Sequence, residues 1–290
     1  YFSDCNCLTR GLMRSTQWIS STESDVNKKL NEYFQNGITA AFLNEKSERD
    51  SKDNVFYSTV EADFYLTSKT TLTTKINYSN INNNSHTITT SDFFNAAKTK
   101  TSNNTRNYFR KLDDEIVEYI VDFEHHFNKQ GQTLTSSFTY TSDIEKYTNN
   151  SSNTNTNFIT EDFVEKNNLK NKILEISFVN PLSQTATYSV GYYDEYREMP
   201  FTYSGTSTNN NINYTDNVHA AFIEFENEGE KFYYGIGLRA EFTELKTDYL
   251  NLNTSQKKEY NEVLPSVYLQ YSINDLKSLS LSYSKKMFTP

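Results

Sequence analysis

Glycine and proline are scarce, 8 and 4 in a chain of 290 residues, so little in the sequence breaks regular elements. Cysteine occurs only as Cys5 and Cys7. Two thiols one residue apart are too close for an ordinary disulfide framework and too few for a four-ligand zinc site. Long apolar runs are missing: nowhere do ~18 apolar residues follow one another, which excludes membrane-spanning helices. An excess of positive charge is missing too, since a balance of -9 gives no basic face of the kind a general nucleic-acid binder needs. The residues after Tyr1 carry neither a basic region nor a sustained apolar stretch, so the expectation is a signal already removed or an internal segment. No Gly-x-Ser-x-Gly elbow, Walker loop or His-Glu-x-x-His helix occurs, which leaves hydrolase and nucleotide chemistry without support and implies no cofactor.

What the chain does have is aromatic mass, 22 Tyr and 20 Phe, which favours strands. Yet only 36% of its residues are hydrophobic and its mean hydropathy is -0.75, too little apolar mass for a large buried core. A transmembrane β-barrel removes the contradiction. Each strand needs apolar residues only at alternate positions over ~9–11 residues, and its other face stays polar.

Alternation of that kind recurs along the chain. Val117, Tyr119, Val121 and Phe123 share one face, with Glu118, Asp122 and Glu124 on the other. Over positions 232–242, Phe232, Tyr234, Ile236, Leu238, Ala240 and Phe242 oppose Gly235, Gly237, Arg239 and Glu241. Similar strands begin near Phe56, Leu72, Leu134, Leu174, Tyr188, Val267 and Leu279.

Connections alternate in length. Short polar turns fall at residues 67–69, 128–131, 180–183, 226–229 and 274–277, while residues 80–106, 141–168 and 194–215 read as long Asn/Ser/Thr-rich loops. Five hairpins give about ten strands, and stretches near Leu12 and Gly37 extend the expectation to about twelve. Residues 22–34 break the pattern: Val26, Leu30 and Phe34 are spaced four apart behind Thr22 and Asp25, which fits either a short helix with a capping box or a polar connection with chance spacing. Residues 1–34 are therefore expected to be a lead-in with that helix, and residues 35–290 a barrel segment.

The C-terminal quarter resembles a known family. Leu264-Pro265-Ser266-Val267-Tyr268-Leu269-Gln270-Tyr271, followed by Asn274-Asp275 and the strand from Leu279 to Lys286, is similar to the corresponding run in TonB-dependent receptor barrels of Bacteroidota. Upstream, Gly237-Leu238-Arg239-Ala240-Glu241-Phe242-Thr243, Val179-Asn180-Pro181-Leu182 and Asp63-Phe64-Tyr65-Leu66-Thr67-Ser68-Lys69-Thr70 resemble further family segments, in family order. The resemblance implies an all-β, antiparallel transmembrane barrel of which this chain is part, closing with about twenty-two strands. It implies uptake of a siderophore, peptide or glycan, outer-membrane lipid as surroundings, TonB as a partner through a plug outside this segment, and room for a surface lipoprotein.

Several local motifs carry competing chemistry. Gly235-Ile236-Gly237-Leu238-Arg239-Ala240 has the spacing of a dinucleotide fingerprint, but strand alternation runs straight through it where a helix should start. His125 and His126 follow Glu124, and adjacent strand residues point to opposite faces, so one ion cannot easily hold both. The polar face supplies the candidates for substrate or plug contact: Glu61, Asp63, Lys75, Glu118, Asp122, Arg239 and Glu241. Tyr78, Tyr140, Tyr192 and Tyr283 suit interfacial girdles. Two rival readings stand beside transport by a non-enzymatic barrel: a complete small barrel of about twelve strands acting as a porin or enzyme, and a soluble adhesion or interaction β-protein.

Overall fold

Alternating sequences need a partner strand on each side to satisfy their backbone, and a meander of hairpins supplies it with the shortest connections. The computed structural model describes residues 8–35, 38–155, 160, 162–206, 208–274 and 276–287. Among them eleven strands form one antiparallel sheet in strict sequence order. They are β1 Leu8–Gln35, β2 Ile38–Thr67, β3 Thr70–Asn95, β4 Lys100–His126, β5 Thr133–Asn153 and β6 Phe163–Pro181, then β7 Ala186–Gly205, β8 Asn209–Glu228, β9 Phe232–Tyr249, β10 Thr254–Asn274 and β11 Lys277–Ser284. β1 and β11 are not paired with each other, so the sheet is open, as a partial barrel is. Cys5 and Cys7 lie outside the described residues.

Register places the apolar positions in rows. Val121, Phe138 and Leu174 stand opposite one another on β4, β5 and β6. Phe225, Ile236, Val267 and Tyr283 do so on β8 to β11. Among the described residues nothing packs on this face: Ile223, Ile236 and Phe242 are 51%, 54% and 54% exposed. Among the described residues no large side chain is fully buried, because one sheet has no second layer. An apolar band of this extent needs an apolar medium, and lipid is the one a barrel meets.

Short turns end the strands at one rim, and the band begins directly beside them. Phe127 donates its N–H to the Gln132 carbonyl at 3.0 Å, closing the β4–β5 turn around Gly131, whose φ of +75° is reached without strain only by glycine. Leu182 donates to Ala186 at 2.7 Å between β6 and β7, and Gly229 to Phe232 at 2.8 Å between β8 and β9.

Two expectations are corrected. Residues 22–34 are not a helix; they belong to β1, paired with β2 through Thr22↔Lys52 and Leu30↔Asn44. A spacing of four is also two strand dyads, so Val26 and Leu30 share one face in either conformation. Nor are residues 80–106, 141–168 and 194–215 long loops. Most of each belongs to a hairpin that carries its ladder far past the apolar band, with strands up to 27 residues long. Above a membrane both faces meet water, so alternation fades while the backbone pairing continues.

Candidate functional site

The face opposite the apolar band is charged, and register brings its residues into line. Asp63 pairs with Thr73, Thr73 with Asp122, Asp122 with Ser137, and the same row continues through Glu175, Tyr193 and Ala220 to Glu241. All seven candidates, Glu61, Asp63, Lys75, Glu118, Asp122, Arg239 and Glu241, therefore share this inner face. They fall into two groups several strands apart.

On β2 to β5 the carboxylates are held mainly by neutral donors. The Thr73 hydroxyl donates to Asp63 Oδ1 at 2.6 Å, and Ser137 to Asp122 Oδ1 at 2.6 Å. Asn77 Nδ2 donates to Glu118 Oε1 at 2.7 Å. Lys75 is the one cation of this group, 3.8 Å from Glu61.

On β7 to β9 the arrangement is ionic. Arg239 Nε donates to Glu241 Oε2 at 2.8 Å, and its guanidinium lies 5.1 Å from the centre of the Tyr193 ring. The Tyr193 hydroxyl donates to Glu195 Oε2 at 2.6 Å, and Arg197 reaches both Glu195 at 3.2 Å and Asp216 at 3.4 Å. Tyr193, Glu195, Arg197 and Asp216 escape sequence reasoning. Their lipid-side neighbour Asp194 interrupts the apolar alternation, and a polar loop is the natural reading. The signal that could find them is the continued dyad Gly191, Tyr193, Glu195, Arg197.

Beyond the band, Asp114 shares the inner face with Asp143 and Glu145 on β5. Burial, then the neighbouring Asp143 and Glu145, hold its carboxyl up at about 6. Among the described residues no three His, Cys, Asp or Glu side chains converge as a metal site. His125 Nδ1 meets the Thr70 hydroxyl at 2.8 Å, whereas His126 Nε2 lies 3.0 Å from Glu124 on the other face. Strand β9 runs unbroken through the glycine pair, so the geometry a dinucleotide needs is not formed there.

A wall of this kind can orient polar or charged matter inside a pore.

The model of an outer membrane protein beta-barrel family matches residues 125–290, more than half of the chain. No curated protein matches. Among solved structures, the alcaligin outer membrane receptor FauA from Bordetella pertussis superposes with a TM-score of 0.61 at 16% identity, covering 94% of this chain and 42% of that one. The ferric citrate transporter FecA, in its unliganded form, aligns with a TM-score of 0.48 at 11% identity over 88% of this chain and 42% of that one. The chain thus spans less than half the length of these proteins. At such identity the likeness to FauA is one of fold.

Proposed function

We infer that this chain, which belongs to the outer membrane protein beta-barrel family and so resides in the outer membrane, is part of the wall of a TonB-dependent transporter. One observation carries the reading: an open meander of eleven strands presents an apolar band outside and a charged, largely acidic face inside. An open sheet leaves hydrogen-bonding edges that a membrane does not tolerate, so further strands must close it. A barrel of about twenty-two strands is wide enough to need a plug. The acidic inner face suits a plug that it holds through ion pairs and hydrogen bonds, with TonB acting on that plug.

Motif order along the chain supports a source in Bacteroidota, and the ligand belongs to the siderophores, peptides or glycans that such barrels carry. The tall hairpins above the band are where a ligand is first met and where a surface lipoprotein finds room.

The test is uptake by cells carrying the full-length protein, measured with and without functional TonB. Loss of ligand accumulation without TonB supports the transporter. Passage that is indifferent to TonB and follows solute size favours the small porin.

A further inference from the structure

Just above the apolar band, the lipid-side face of β5 and β6 turns basic. Along β6, Phe178, Ile176 and Leu174 give way at successive same-face positions to Lys172 and Lys170, and then, beyond Asn168, to Lys166. On β5, Phe138 and Tyr140 are followed on that face by Ser142, Ile144 and then Lys146.

Lys146 and Lys166 stand directly opposite each other in the ladder. Like charges in that relation repel and destabilise the pairing, a cost that an acid or anion between them offsets. Elsewhere this sheet supplies it. Lys246 and Lys257 are also directly opposed, but Lys246 lies 2.8 Å from Asp248, and Lys257 lies 2.9 Å from Glu244 and 2.7 Å from Glu259.

No such relief is present at the first pair. Among the described residues, none of Lys146, Lys166, Lys170 and Lys172 has a carboxylate within 4.0 Å. Asp113, the acid opposite Lys146, is engaged by Lys111 at 2.7 Å. Glu198 faces Lys170 in register but does not reach it, and Asp194 Oδ1 lies 2.5 Å from His219 Nδ1. Lys172 is steered by an aromatic instead, its Nζ 5.7 Å from the centre of the Tyr196 ring.

Height above the lipid says what can fill the gap. At ~3.3 Å per residue and a tilt of about 40°, Lys172 and Lys170 lie within ~10 Å of the Leu174 level, and Lys166 about 20 Å above it. This is the depth of the headgroups and proximal sugars of an outer-leaflet glycolipid, on the side where hairpins are tall.

We propose that Lys146, Lys166, Lys170 and Lys172 form a binding site for the phosphate-bearing headgroup of an outer-leaflet glycolipid, whose acyl chains lie along Phe138, Leu174 and Ile176. A phosphate oxygen accepts from two ammonium groups at once, which turns the Lys146–Lys166 repulsion into a shared contact. The site depends on the lipid-facing orientation of the band and not on what the barrel transports.

Native mass spectrometry of the purified full-length protein tests it, titrated with phosphorylated lipid A, with the same lipid dephosphorylated, and with inorganic phosphate as competitor. Phosphorylated lipid A should bind, and replacing all four lysines by Gln should weaken it by about tenfold or more. K146R/K166R should retain binding, and K246Q/K257Q, whose lysines already have carboxylates, should leave it unchanged. If the fourfold variant fails to fold, K146Q/K166Q carries the same expectation. Undiminished binding by the folded Gln variant, equal binding of the dephosphorylated lipid, or displacement by millimolar phosphate would each overturn the proposal, the last by reducing the site to one for a free anion.

Discussion

Gly191 lies directly across from Phe222 on the inner face, and a Cβ on Gly191 would stand 2.2 Å from the ring's Cζ and 2.7 Å from the backbone oxygen of Ile176. The ring occupies the space the glycine leaves empty. Gly191→Ala should destabilise the folded barrel by about 1–3 kcal/mol through overpacking. Phe222→Ala in the same chain should recover only part of that, because the Ile176 contact is with backbone. Urea-dependent folding into vesicles measures both.

Phe138 and Thr139 are neighbours on β5 that face opposite media, Phe138 being 40% exposed on the apolar side. Phe138→Arg places a charge in hydrocarbon and should cost ~2–4 kcal/mol. Thr139→Arg puts the same charge on the water-lined face, and should cost about 1 kcal/mol or less. Equal costs, read by the same folding titration, would contradict the assignment of faces.

How far the sequence discloses this structure follows from where water is. Where one face meets lipid, as over positions 232–242, period-two alternation exposes the strand, its face and its charged inner partners Arg239 and Glu241. The short turns are equally legible, since Gly131, Pro181 and Gly229 punctuate them. Above the band Asn80 and Ser142 are as polar as their neighbours, so the hairpin extensions look like loops although the ladder continues. Long-range register is hidden too. That Glu241 shares a row with Asp122 and Asp63 depends on pairings across eight strands that no local window contains.

Arg197 is the cation between Glu195 and Asp216, whose side chains are 14% and 8% exposed. Arg197→Ala leaves two partly buried carboxylates facing each other and should cost ~1–3 kcal/mol. Adding Asp216→Asn should lower that penalty, a non-additivity that a double-mutant cycle detects.

Asp114 introduces pH dependence above the membrane. Its folded pKa of about 6 exceeds the ordinary 3.8, so the folded cluster binds a proton the unfolded chain releases. The stabilisation is fully present below that ordinary value and is lost as pH rises through about 6. Hydrogen exchange along the upper β4–β5 ladder, corrected for intrinsic rates, should show more protection at about pH 4 than at about pH 8. Asp114→Asn should largely remove the difference.

The central claim is that one face of this sheet meets lipid and the other water, and strand β9 offers the most direct test. Single nitroxide labels at positions 232–242, in a Cys5→Ser/Cys7→Ser background reconstituted in bilayers, report exposure to dissolved oxygen and to a water-soluble nickel complex. The account predicts oxygen-dominated relaxation at Phe232, Tyr234, Ile236, Leu238, Ala240 and Phe242, and nickel-dominated relaxation at the positions between. Nickel access to both sets, or a period other than two, would contradict it.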